Sequence, residues 1–426
     1  MKQASILILL MVFGKLDYVA AQNKRCGTTE HLKKELRNNP ALQSIIAEDE
    51  KTNQEWIAAH WGENKKQGFN KPQPYITIPV VVHVVWHNQI ENISDAQIQS
   101  QITALNEDFR LSNTDSLSTI HPFWPYTADA QIEFCLAKRD PNGNPTNGIT
   151  RTYTNITTFV GDGMEKHSAT GGKDNWPPTS YLNLWVCNLD GSGGTLGYAQ
   201  FPSSLSTNPS EDGVVIRYQA LGFIGTATAP YNLGRTAVHE IGHWLNLNHI
   251  WGDAFCGDDL VTDTEVAEED NSGCPSFPSN VFNSCGTGIY GEMYMNYMDY
   301  VDDNCMNMFT YGQALRMNAT LNGKRVGLFY SQGCKAPTDV ENTVLEKTIE
   351  IYPNPTQGKF SINRYGDHKN PINITILDVF GHVVFESKNI KTYPYVIDLH
   401  NLSNGIYIVQ LDDYSSRVMK KITLNR

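Results

Sequence analysis

Read for its pattern of apolar and polar positions, the chain falls into four stretches of different character. Residues 4–14, ASILILLMVFG, are an apolar run that follows Lys2 and precedes the small residues Val19, Ala20 and Ala21. The run is too short to cross a bilayer as a helix, and its flanks predict an export signal over 1–21, cleaved after Ala21. Residues 22–72 are polar with helical spacing in TTEHLKKELRNN and LQSIIAEDEKTNQEWIAAHW. They end in Lys65, Lys66, Gly68 and Lys71, with Pro72 and Pro74 beyond. This predicts a short helical pro-segment and an exposed, cleavable linker.

From Ile76 the pattern changes. ITIPVVVHVVW reads as a buried strand, and Ser94 caps a helix through SDAQIQSQITALNEDFR. Further strands are expected at 131–137, 181–189, 195–201 and 214–219, with helices at about 234–246 and 311–322. Strands alternating with helices predict an α/β domain with a mixed, twisted sheet over 73–336. A polar linker (337–347) follows. Residues 348–426 then hold about seven short strands punctuated by Asn354, Pro355, Gly358, Gly381, Asn404 and Gly405, the pattern of an all-β, Ig-like sandwich.

Composition narrows the class. The chain has 426 residues, 40% hydrophobic and 18% charged, which is globular material. A net charge of -12 gives no overall basic character for nucleic acid, so no nucleic-acid partner is expected. No later apolar stretch is long enough for a transmembrane segment. Eight cysteines lie beyond the signal (Cys26, Cys135, Cys187, Cys256, Cys274, Cys285, Cys305 and Cys334), none in a CxxC pair, which in an exported chain favours disulfides.

The chemistry concentrates in TAVHEIGHWLNLNH, residues 236–249. Side chains four apart share one face of a helix, so His239 and His243 can aim at one metal, with Glu240 beside them as general base. Catalytic zinc takes three protein ligands and keeps a fourth position open; His249 is the third candidate. A continuing helix would leave His249 about 120° off that face and about 9 Å along the axis. The helix must therefore stop and the chain turn back, and Asn246 suits the left-handed turn residue. A purely structural zinc would want four protein ligands and has no use for Glu240.

Several blocks bear a resemblance: RCGT (25–28), IPVVVHVV (78–85), the zinc motif, CGDDLVTDT (256–264) and YMNYMDYVDDNCMNMFTYGQALRM (294–317). Over roughly 26–334 the chain resembles the pappalysin family of metzincin peptidases, although glycine usually stands where Asn246 does. The resemblance implies a secreted zinc endopeptidase, a Met-turn at Met298, and Tyr300 near the metal to stabilise the reaction intermediate. It implies that Asp302 or Asp303, with Asp303 favoured, faces the side chain after the scissile bond and prefers Arg or Lys there. It also implies calcium near Asp258, Asp259, Asp263 and Thr264, and disulfides Cys256–Cys285 and Cys274–Cys305, where four cysteines by themselves allow three pairings. Cys26 is open to two readings: a latency ligand on zinc, or a disulfide partner of Cys334 or another cysteine. IYPNPTQGKF, ITILDVFGHVV, DLHNLSNGIYIVQL and KKITL resemble a type IX secretion sorting domain, which implies that export machinery as a partner and an extracellular or surface location. Two competing readings are an adhesin or binding protein with a catalytically silent zinc domain, and a zinc hydrolase of non-peptide amides.

Overall fold

The computed structural model describes residues 25–62, 75–190, 194–277, 284–286, 288, 290–337, 345, 348–366, 370–413 and 417–426. The expected signal at 1–21, the Lys65, Lys66, Gly68 and Lys71 linker and most of the 337–347 linker lie outside them. The chain divides into two compact units, Met1–Pro337 and Thr338–Arg426. Among the described residues no helix is long and apolar enough to cross a membrane.

The first unit is built on β1 (Ile76–Trp86), in which every residue from Ile78 to Val85 is buried. Such a strand has neighbours on both edges and cover on both faces, which is why its sequence is a continuous apolar run. On one edge β2 (Ile132–Leu136) pairs with its first half and β3 (Ile149–Tyr153) with its second half, both parallel. Gly148 makes this sharing possible. Its φ is +74°, and a Cβ there would meet the Ala137 backbone nitrogen at 2.6 Å. On the other edge lie β4 (Leu182–Cys187) and then β6 (Val214–Arg217), both parallel, and antiparallel β5 (Gly197–Ala199) at the margin. The mixed sheet expected from the sequence is therefore present. β3 went unpredicted because ITRTY has no fully buried position and so no apolar run.

Three helices pack against or near this sheet. Ser94 caps α3 (Asp95–Phe109), accepting the Gln97 N–H. Its Ile98, Ile102, Leu105 and Phe109 join Val80, Val82, Val84, Leu184 and Ile216 of the sheet in the main core. In α4 (Arg235–Trp244) every residue is buried. α5 (Tyr311–Asn322) starts at a capping box between Thr310 and Gln313. Two helices precede the sheet, α1 (Thr28–Asn38) and α2 (Leu42–His60). Glu50 of α2 holds Arg316 of α5 through two hydrogen bonds of 2.8 and 2.6 Å. The other guanidinium edge of Arg316 donates to the carbonyl of Asn246 at 2.6 Å.

Three disulfides tie the first unit: Cys135–Cys334, Cys256–Cys285 and Cys274–Cys305. The disulfide alternative for Cys26 is thereby excluded with Cys334, whose partner is Cys135; Cys26 is free and buried.

The second unit is all β. A four-stranded antiparallel sheet runs β10 (Val383–Ile390), β9 (Ile372–Leu377), β12 (Gly405–Asp412), β13 (Arg417–Leu424). A three-stranded one runs β11 (Tyr395–Asp398), β8 (Lys359–Arg364), β7 (Ile349–Tyr352). Ile374, Ile376, Val409 and Leu411 of the first sheet share one core with Phe360, Ile362 and Ile397 of the second. Alternation along β9, buried at every second residue, is the half-buried pattern of a strand with one face on the core.

Candidate metal centre and cleft

The centre begins with the rigidity of α4. His239 and His243 stand one turn apart on a helix that is buried all round, so their Cα positions are fixed by packing. The helix ends at Trp244, and Asn246 follows in the left-handed region at φ 76°. Its N–H bonds the His243 carbonyl, and the Leu247 N–H returns to the Gly242 carbonyl at 2.9 Å. This closure satisfies the last carbonyls of the helix and swings the chain back.

His249 is thereby brought to the first two imidazoles. The Nε2 atoms of His239, His243 and His249 lie 3.1, 3.1 and 3.3 Å apart. Each Nδ1 is engaged elsewhere at 2.7 Å: His239 with the Tyr297 carbonyl, His243 with the Leu247 carbonyl, His249 with Asp253 Oδ1. Those acceptors take the Nδ1 protons, so three Nε2 lone pairs face one another. Three acceptor nitrogens this close repel unless a cation lies among them. Ligands about 2.05 Å from a tetrahedral zinc would be about 3.3 Å apart, so the spacing fits that ion. Burial lowers the basicity of His239 (to about 3) and of His243 (well below its usual value), keeping both rings neutral, the form that binds metal. Cys26 completes the group: its sulfur and the three imidazole nitrogens lie within 4.8 Å of one another.

Glu240 is buried next to the cluster. Its Oε2 accepts from the Thr28 hydroxyl at 2.8 Å and from the Cys26 thiol at 3.3 Å. Burial pushes its carboxyl up to about 8, against the pull of those two bonds. Tyr300 stacks edge-on to His249 with ring centres 5.0 Å apart, and its hydroxyl donates to the Cys26 carbonyl at 3.5 Å. Met298 is fully buried against α4, its sulfur 2.5 Å from where a Cβ on Gly242 would stand. The adjacent Tyr297 carbonyl is the one that holds His239, so the Met298 turn and the helix are locked together.

Residues 25–27 lie against the sheet margin. The Leu196 N–H donates to the Arg25 carbonyl at 2.7 Å and the Gly27 N–H to the Gly197 carbonyl at 2.9 Å. Cys26 thus pairs in parallel with β5 and is delivered to the imidazoles. Arg25 lines a pocket together with Leu196, Tyr231, Thr236, Asp303 and Met306. There it stacks on Tyr231 at 4.4 Å and bonds Asp302 Oδ1 at 2.9 Å.

Asp303, expected to face the side chain after the scissile bond, lines this pocket and is tied to its wall. Its Oδ2 accepts the N–H groups of Leu233 and Arg235 at the start of α4, where a negative charge also complements the helix dipole. Asp302 takes the Arg25 guanidinium. Of the oxygens expected to hold calcium, Thr264 Oγ1 lies 2.9 Å from Asp259 Oδ1, and each carboxylate accepts hydrogen bonds of its own. Asp258 accepts the Leu260 N–H; Asp259 accepts from the Val261 N–H and the Thr264 hydroxyl; Asp263 accepts from Thr310 and the Gly312 N–H at the start of α5. These carboxylates are engaged with donors at separate turns. Among the described residues, the group close enough to share one ion is Cys26 with the three histidines.

Sequence reading missed Thr28, Arg25 and Asp253. The first two stood in the quoted RCGT block, but their partners are more than 200 residues away. Asp253 follows His249 by four residues, and a carboxylate near a ligating histidine is a signal that could have been used.

The chain is similar to known metalloproteases. Residues 165–322 match the model of the peptidase M43 family described as pregnancy-associated plasma protein-A, and residues 350–425 match the secretion system C-terminal sorting domain. The chain is 34% identical to an extracellular metalloprotease of Arthroderma benhamiae over 260 residues, covering 59% of this chain and 80% of that one. It is 31% identical to extracellular metalloprotease 1 of Coccidioides posadasii, covering 76% and 99%. Among solved structures, a promirolysin mutant of Tannerella forsythia is 45% identical with a TM-score of 0.63, covering 72% of this chain and 97% of that one. Mature mirolysin of the same organism, in complex with a cleaved peptide, is 51% identical with a TM-score of 0.58, covering 60% and 96%.

Proposed function

The chain belongs to the pappalysin family of secreted metalloendopeptidases, and from that premise we propose that it is a zinc endopeptidase made as a latent precursor and specific for basic side chains. The observation that carries the reading is the convergence of three Nε2 atoms at tetrahedral spacing beside one buried carboxylate. His239, His243 and His249 would hold zinc, which when bound acidifies water and polarises a carbonyl. Glu240, buried beside the three imidazoles, would accept a proton from the attacking water and return it to the leaving amine. The Tyr300 hydroxyl is aimed at the position now held by the Cys26 carbonyl, where a substrate oxygen would be stabilised. A substrate backbone can pair with β5 where residues 25–27 now pair, giving affinity without side-chain selection.

Latency follows from the same contacts. Residues 22–72 act as the pro-segment: Cys26 would take the fourth metal position, and Thr28 holds the base. Selectivity follows from Arg25, a basic residue that lines the pocket beside the centre. We assign its partner Asp302 as the carboxylate that reads Arg or Lys after the scissile bond, with Asp303 holding the pocket wall at α4. The family resemblance implies a structural calcium near Asp258, Asp259, Asp263 and Thr264, and a lower melting temperature in EGTA is its test. The second unit serves export through type IX machinery, as its match to the sorting family supports.

The test compares casein digestion by the processed wild type and Glu240→Ala, with zinc content measured in both. Loss of digestion with zinc retained supports the proposal. Equal, negligible digestion by both would favour a silent binding protein. On peptide libraries Asp302→Asn is expected to lose selection for Arg and Lys; unchanged selection removes Asp302 from its role.

A further inference from the structure

We propose that Asp253 is a positioning residue whose negative charge, acting through His249, fixes and strengthens the third metal ligand; the proposal rests on the zinc reading above. The three imidazoles are not held alike. His239 and His243 ride on α4, whose packing sets them, and neutral carbonyls take their Nδ1 protons. His249 lies beyond the helix in irregular chain, and a carboxylate takes its Nδ1 proton, at 2.7 Å.

The backbone is shaped to deliver that carboxylate. The Gly252 N–H bonds the His249 carbonyl at 2.8 Å, closing a tight turn directly after the ligand. Gly252 is left-handed, φ +60°, and a Cβ there would meet the Asp258 backbone nitrogen at 2.5 Å. Asp253 is left-handed as well, φ 56°. A second consecutive left-handed residue that is not glycine is costly, and aspartate is among the few that tolerate it. The turn brings the side chain back beneath its own histidine. Trp251 stacks on the other side of that ring, 4.4 Å away and within 10° of parallel. Ring plane and tautomer are thus set by one turn.

The chemistry follows. An Nδ1–H bonded to a carboxylate directs the Nε2 lone pair at the centre and makes that nitrogen more donating. Of the three imidazoles, His249 is the one whose Nδ1 proton is held by a carboxylate, that of Asp253. Thr29 of α1 lines the same cleft as Cys26 and Asp253.

The experiment uses the full chain. Zinc affinity is measured by competition with a chromophoric chelator, and the absorption spectrum is recorded after cobalt substitution, for wild type, Asp253→Ala, Asp253→Asn and the control Asp140→Ala. Asp253→Ala is expected to bind zinc about 10–100-fold more weakly and to shift the cobalt bands. Asp253→Asn keeps size and an acceptor oxygen but not charge, and is expected to lose about tenfold. Asp140→Ala should stay within about twofold of wild type, since its carboxylate serves an exposed turn at Asn142 and Asn144. Wild-type affinity and spectrum in Asp253→Ala overturn the proposal. If circular dichroism shows that variant unfolded, wild-type affinity in Asp253→Asn overturns it. A wild type that binds no stoichiometric zinc fails the zinc reading itself, a result distinct from both.

Discussion

Replacing Gly242 by alanine sets two effects of opposite sign against each other. In a helix interior alanine is favoured over glycine by about 1 kcal/mol, so propensity alone predicts a more stable protein. Against it stands Met298. A Cβ on Gly242 would lie 2.5 Å from its sulfur and 3.3 Å from its methyl carbon, with Leu247 at 3.5 Å behind. Ordinary contact needs about 3.5–4.0 Å, so the sulfur must retreat by more than 1 Å. Met298 is flexible but fully buried, and its neighbours Tyr297 and Asp299 are buried too. Overpacking of this kind costs about 1–3 kcal/mol. The net expectation is a loss of about 0–2 kcal/mol, seen as a melting temperature lower by up to a few degrees. The double variant Gly242→Ala, Met298→Ala relieves the clash, so a thermodynamic cycle should show a favourable coupling of at least about 1 kcal/mol. The assay is calorimetric melting of the four proteins. A Gly242→Ala protein stabilised by about 1 kcal/mol, with no coupling to Met298, would refute the argument.

Three further outcomes are expected. Burial raises the Asp259 carboxyl from its usual 3.8 to about 7, so the folded state binds the extra proton and stability falls as pH rises from about 4 to about 7. Asp259→Asn should remove one proton's share of that slope, about 1.4 kcal/mol per pH unit, in urea titrations across the window; an unchanged slope counts against it. Thr28→Val removes the hydroxyl on Glu240, and a peptide of residues 25–62 carrying it should inhibit the processed enzyme about 5–100-fold less well; equal inhibition would show that the bond contributes nothing. Glu50→Ala leaves the Arg316 guanidinium without its bidentate partner and should lower the melting temperature of the precursor while leaving that of the processed form untouched.

What the sequence disclosed and what it withheld divide along a physical line. β1, α3, α4 and α5 were readable because each has a periodicity set by local geometry and a core to face. The stop at Asn246 was readable for a similar reason: helix geometry makes His249 unreachable unless the chain turns left-handed there, and it does, at φ 76°. The division of labour between Asp302 and Asp303 was not. Adjacent aspartates are indistinguishable until the start of α4 and Arg25 are brought to them by folding. The partners of Asp258, Asp259 and Asp263 show the same limit, since the sequence does not say which backbone or hydroxyl donors folding brings to each carboxylate. β3 escaped because strand pairing, not side-chain pattern, defines it.

The short margin strand β5 is closed by the parallel pairing of residues 25–27. An uncapped margin offers its unused amides to any extended chain, including another copy of the same protein, and such contacts seed clumping. Residues 25–27 shield the sheet from such pairing, and on the proposed function their removal would open the margin to a substrate backbone.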